Sequence, residues 1–154
     1  IERIVESNGG AHETASIGKA YKTPKGNTVY GGGGIIPNHW VPSNALYADS
    51  NYAKLFVEGT VNEFILQYYL QSQNAFNQYK SVQAFVSAYS KQDLTKVLDQ
   101  YMRSANKVGL PKSMMQNSLL QQQLVANLAR CKWYKQGYYE AINLMDSNFL
   151  AALK

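Results

Sequence analysis

The sequence holds a single cysteine, Cys131, so it builds no internal disulfide framework and no cysteine-rich zinc site. Long apolar runs are missing too. Hydrophobic residues make up 45% of the chain, but polar residues interrupt them throughout, and no membrane span is expected. Charged residues reach only 16%, which beside that apolar fraction excludes a disordered chain. Histidine occurs twice, at His12 and His39, with no second ligand at metal spacing, so both are read as turn residues rather than zinc ligands. What is present is a chain of 154 residues, one domain's worth and long enough to bury a core. It begins at Ile1 with no initiator methionine and no signal-like start, and is read as a fragment or a processed product.

The formal net charge is +5, which raises the question of nucleic acid. Residues 1 to 50 are balanced, and the excess lies in the remainder. There the cations come singly, at Lys54, Lys80, Lys96, Arg103 and Lys135 among others. Neutralising a phosphate track needs several cations converging, so a solvated helical surface is expected and a nucleic-acid partner is not.

Composition divides the chain. Residues 1–45 hold most of the eleven glycines, three of the four prolines and both histidines, with β-favouring pieces such as Thr28, Val29 and Tyr30 between turn signals. This reads as a Gly-rich extended segment with a hairpin. Residues 46–154 carry helical spacing. Val61, Phe64, Ile65, Tyr68 and Tyr69 form one stripe, with Asn62, Glu63 and Gln67 opposite. Val82, Phe85, Val86 and Tyr89 form a second, capped by Ser81. Leu94, Val97, Leu98, Tyr101, Met102 and Ala105 form a third, stopped by Gly109 and Pro111. A fourth helix is expected from a Ser113 cap, with Met115, Leu119, Leu120, Leu124 and Leu128 inward, Gln121, Gln122 and Gln123 mostly outward, and Gly137 as its end. The last would bury Tyr138, Ala141, Ile142, Met145, Phe149, Ala152 and Leu153. The fold class is therefore α+β, mainly α: a short N-terminal β segment followed by a bundle of about five amphipathic helices.

Few residues suggest chemistry. The glycines Gly31, Gly32, Gly33 and Gly34 lead into Ile35, Ile36 and Pro37, without the Lys-Ser/Thr and helix mouth of a phosphate loop. Ser16 with Lys19, and Ser104 with Lys107, stand at S-x-x-K spacing but lack the companion motifs that give this spacing meaning. Cys131 sits between Arg130 and Lys132, an arrangement that lowers a thiol pKa; a thiol on a helix face is the plainer reading. Glu58 and Glu63, Asp93 and Asp99, and Glu140 and Asp146 form no acid–base pair recognisable from spacing. Trp133, Tyr134, Tyr138 and Tyr139 cluster around Gly137, and core packing is expected of them ahead of a stacking or peptide-docking role.

The stretch YKTPKGNTVYGGGGIIPNHWVP, from Tyr21 to Pro42, resembles the end of the catalytic domain in carboxy-terminal processing peptidases, the tail-specific serine proteases. The parts occur in the family's order. Thr23, Pro24 and Gly26 match its T-P-x-G turn, and Gly31 to Gly34, Ile35 and Pro37 match the Gly-rich closing segment of envelope-associated bacterial members. The LARCKWYKQGYYEAINLMD segment resembles the last helices of those members. Asn38 stands where the family carries Asp, and Asn27 where Arg follows the turn glycine. The family's Ser–Lys dyad and PDZ module lie upstream of the matched region, and the Ile17-Gly18-Lys19 sequence stands too close to the turn to be the lysine motif.

The resemblance implies a parent that is a periplasmic or envelope serine endopeptidase acting on unfolded proteins. This chain would be its non-catalytic C-terminal part, partnered by the upstream protease core and free of cofactors, metals and any catalytic residue of its own. Its helical domain is expected to brace the core, mediate self-association or shape substrate access. The alternative is a free-standing helical module that binds peptide or nucleic acid through a basic, Tyr-rich surface. A thiol enzyme built on Cys131 ranks last.

Overall fold

The computed structural model describes residues 19–31 and 49–153, and the chain divides into two units, residues 1–40 and 41–154. In the first, strands β1 (Ala20–Lys22) and β2 (Thr28–Tyr30) pair antiparallel, with Tyr21 opposite Val29. The turn between them is closed by its own residues. Thr23 N–H donates to Asn27 O at 2.9 Å, Gly26 N–H to Thr23 O at 2.9 Å, and Asn27 N–H to Thr23 Oγ1 at 3.1 Å. Gly26 has φ +84°, a conformation that costs glycine no Cβ clash. Gly31 continues the ladder by donating to Lys19 O. Gly32, Gly33, Gly34, Ile35, Pro37 and Asn38 lie outside the described residues, as do His12, His39 and Ser16.

The second unit is helical. Its described elements are α1 (Ser50–Val57), α2 (Thr60–Gln71), α3 (Gln73–Asn77), α4 (Val82–Tyr89), α5 (Leu94–Ser104), α6 (Lys112–Met115), α7 (Ser118–Met145) and α8 (Ser147–Ala152). The chain is thus mainly α with a short antiparallel hairpin, and it holds eight described helices where five were expected. The three strongest stripes are where their spacing puts them. Val61, Phe64 and Ile65 are buried on α2, Val82, Phe85, Val86 and Tyr89 on α4, and Leu94, Leu98 and Met102 on α5. Ser81 caps α4, accepting from Ala84 N–H at 3.2 Å.

The N-terminal arm of α7 runs through the centre. Leu119, Leu120, Leu124, Val125, Ala126, Leu128 and Ala129 are all buried, more than half the helix circumference, and the helix packs against α2, α4 and α5. Phe76, from the short α3, fills an aromatic core: its ring lies 5.1 to 6.4 Å from those of Tyr68, Tyr69, Phe85 and Tyr89. Lys132 of α7 anchors that segment, donating through Nζ to Phe76 O at 2.6 Å and Tyr79 O at 2.7 Å. A cation there satisfies carbonyls left open where a helix ends.

Several boundaries differ from the sequence expectation. Helix α5 stops before Gly109: Asn106 takes the left-handed conformation at φ +56°, while Lys107 N–H donates to Met102 O and Asn106 N–H to Arg103 O, a Schellman closure with Asn in the usual glycine place. Ser113 lies inside α6, and the cap of α7 is Asn117, which accepts from Leu119 N–H at 2.9 Å. Asp146 separates α8 from α7 by capping Asn148 N–H, and Phe149 and Ala152 of that short helix are exposed, as is Leu153 just after it.

Gly137 does not end a helix either. The interruption of α7 falls at Trp133 and Tyr134, the latter at φ +56°, ψ −152°. Tyr138 Oη lies 2.9 Å from Gln123 Oε1, 15 residues earlier, to which it donates. A straight helix would separate such residues by about 22 Å, so α7 is a helical hairpin whose second arm folds back on the first. Gly137 is buried at the fold: a Cβ there would come within 2.5 Å of Trp133 Cβ and 3.0 Å of Ala129 O.

Candidate functional site

The residues singled out for chemistry are mostly tied into the scaffold. Ser104 donates to Tyr101 O at 2.8 Å, whereas Lys107 donates to Thr60 Oγ1 at 3.1 Å and pairs with Glu63 Oε2 at 2.9 Å. The two side chains of the S-x-x-K pair are each engaged with other groups. Hydrogen bonding to Glu63 raises the Lys107 pKa, the opposite of what a lysine base requires. Asp99 accepts from Arg103 Nε at 2.8 Å and from the buried Leu110 N–H at 2.7 Å, which fixes the α5–α6 loop. The Arg103 bond, opposed by burial and aided by Leu110, holds its carboxyl below the usual range. Asp93 caps α5 through Lys96 N–H and lies 2.8 Å from Thr95 Oγ1, so it too has a structural place.

Cys131 is half-buried, and burial pushes its thiol pKa up, with Arg130 opposing only in part. The expected lowering therefore does not occur, because desolvation of the thiolate outweighs the neighbouring cation. Among the described residues no cluster of His, Cys, Asp and Glu is arranged to hold a metal ion.

The aromatic cluster divides into two parts. Trp133 is half-buried and meets Phe85 edge-on at 5.6 Å, as core packing requires. Tyr134 is 80% exposed and Tyr139 53%, with Lys135 Nζ 5.9 Å from the Tyr139 ring centre. Beside them the fold of α7 opens a cleft of about 530 Å³, lined by Phe56, Asn62, Asn127, Arg130, Lys135 and the tyrosines 138 and 139. A second open cleft, of about 570 Å³, lies between α1 and the α5–α6 loop and contains Lys54, Glu58 and Lys107.

Gln121 is the polar residue that spacing hid. Its Nε2 donates to Gln92 O at 2.6 Å and lies 3.4 Å from Tyr89 O, while its Oε1 accepts from Leu94 N–H at 3.1 Å. One side chain thereby joins the end of α4, the start of α5 and the first turn of α7. Gln121, Gln122 and Gln123 are all half-buried, not outward.

These features define a mainly α domain centred on a helical hairpin, with open clefts at its surface. Residues 51–134 match the family of unknown function DUF8443, and the chain, more than half of which is covered, belongs to that family. No curated protein matches it, and no solved structure does. No helix of the described residues is long and apolar enough to cross a membrane.

Proposed function

We propose that this chain is the non-catalytic C-terminal part of a serine-type carboxy-terminal processing peptidase, and that its helical domain braces the protease core or shapes the access of unfolded protein substrates. The observation that carries the reading is the hairpin at the T-P-x-G positions. Thr23 and Gly26 close its turn by hydrogen bonds and a positive φ, which gives the motif residues a physical reason to be Thr and Gly there. The S-x-x-K pair at Ser104 and Lys107 adds support, since each side chain serves the helices rather than the other.

Sequencing the reading frame upstream of the Ile1 codon tests this proposal. The expected result is an α/β domain carrying a Ser and a Lys whose substitution abolishes proteolysis. A start codon directly before Ile1 would overturn it.

A further inference from the structure

The fold of α7 does something a continuous helix cannot. Arg130 and Lys135 are five residues apart, so on an unbroken helix they would point about 140° away from each other. With the break at Trp133 and Tyr134 between them, both line the same cleft. Tyr134 bears the cost, held exposed in a backbone region that is nearly reserved for glycine. Strain of this kind collects at binding and catalytic sites, where the surrounding packing enforces it.

The charge of the cleft is one-sided. Among the described residues its lining includes two cations, Arg130 and Lys135, and no carboxylate. The ion pairs among the described residues, Arg103 with Asp99 and Lys107 with Glu63, are elsewhere, and neither Arg130 nor Lys135 has a carboxylate partner among those residues. Asn62 and the Tyr138 hydroxyl add polar groups, and Phe56 with the exposed Tyr139 ring adds apolar wall. A volume of about 530 Å³ is within the range of small-ligand and peptide side-chain pockets.

The geometry points to a site for an acidic peptide segment, with its carboxylates on Arg130 and Lys135 and a neighbouring apolar side chain against Phe56 and Tyr139. An arginine fork beside a lysine suits one or two carboxylates. Two cations are too few for a nucleic-acid backbone, which needs a longer converging track. This site goes beyond the protease-tail reading and does not depend on it.

The test is a fluorescence-anisotropy titration of the full chain with a labelled peptide alternating Glu and Leu, and with its Gln-for-Glu counterpart. The Glu peptide is expected to bind at least roughly tenfold more tightly, with affinity falling as salt rises. Arg130→Gln and Lys135→Gln should each weaken it by roughly tenfold, whereas Lys91→Gln, outside the cleft, should leave it unchanged. Melting curves check that the variants, altered at exposed positions, remain folded. Equal affinity for the two peptides, no binding, or loss-free binding by both cleft variants would overturn the proposal. So would displacement by inorganic phosphate or oligothymidylate at concentrations comparable to the peptide, which would make the site one for phosphate or nucleic acid.

Discussion

Replacing Tyr134 by glycine should make the protein more stable, although it removes a whole aromatic side chain. At φ +56°, ψ −152° a residue with a Cβ carries strain on the order of 1–3 kcal/mol. Glycine relieves it but adds unfolded-state freedom worth about 0.5–1 kcal/mol. The ring is 80% exposed, so little burial is lost. The balance is a gain centred near 1 kcal/mol, or a rise in Tm of about 2–4 °C for a chain of this size. Alanine is the control. It keeps the Cβ and hence the strain, and should stay within about 0.5 kcal/mol of the parent. Urea and thermal unfolding of the two variants decide the matter: equal stabilities for glycine and alanine would refute the strain argument.

Gly137→Ala should destabilise despite alanine's helix-propensity advantage of about 1 kcal/mol. The added methyl meets Trp133 Cβ and the Ala129 carbonyl, neither the end of a flexible side chain, and overpacking costs about 1–3 kcal/mol; urea unfolding gives the sign. Gln121→Ala should cost about 0.5–1.5 kcal/mol by removing the bonds that tie Leu94 N–H and Gln92 O to α7, while Gln122→Ala next to it should cost under about 0.5 kcal/mol. Stability should also fall at both ends of the pH scale. Asp93 and Asp99 have pKa values lowered by folding, so what they contribute is present above the usual carboxylate pKa of about 4 and is lost as pH falls through their folded values. Burial, with the nearby tyrosines, pushes Tyr89 up to about 12, so its contribution is complete below pH 10, the unfolded value, and is lost as pH rises through 12. Urea midpoints across pH measure both flanks.

How far the fold could be read from sequence depended on whether apolar spacing alone decided an element. It did for α2, α4 and α5, whose stripes are the core, and for the cap at Ser81. It did not for α3, where one residue, Phe76, supplies the buried contact and Lys132, more than fifty residues away, closes the end. Helix α1 was equally short of signal, with Tyr52 and Leu55 its two buried residues. Glycine and proline were read as stops at 109, 111 and 137, but the chain turns at Asn106 and at Tyr134. Asparagine's tolerance of the left-handed region made the first discoverable. Nothing local marks Tyr134, because tertiary packing of the second arm on the first imposes its conformation. The cleft shared the same fate. Arg130, Lys135 and the tyrosines are plain in the sequence, but their convergence depends on that break.

The most direct measurement is hydrolysis of denatured casein by the purified chain, with circular dichroism confirming that its helices are formed. The account predicts no peptide release above buffer. Turnover that disappears in Ser104→Ala or Ser16→Ala would contradict it.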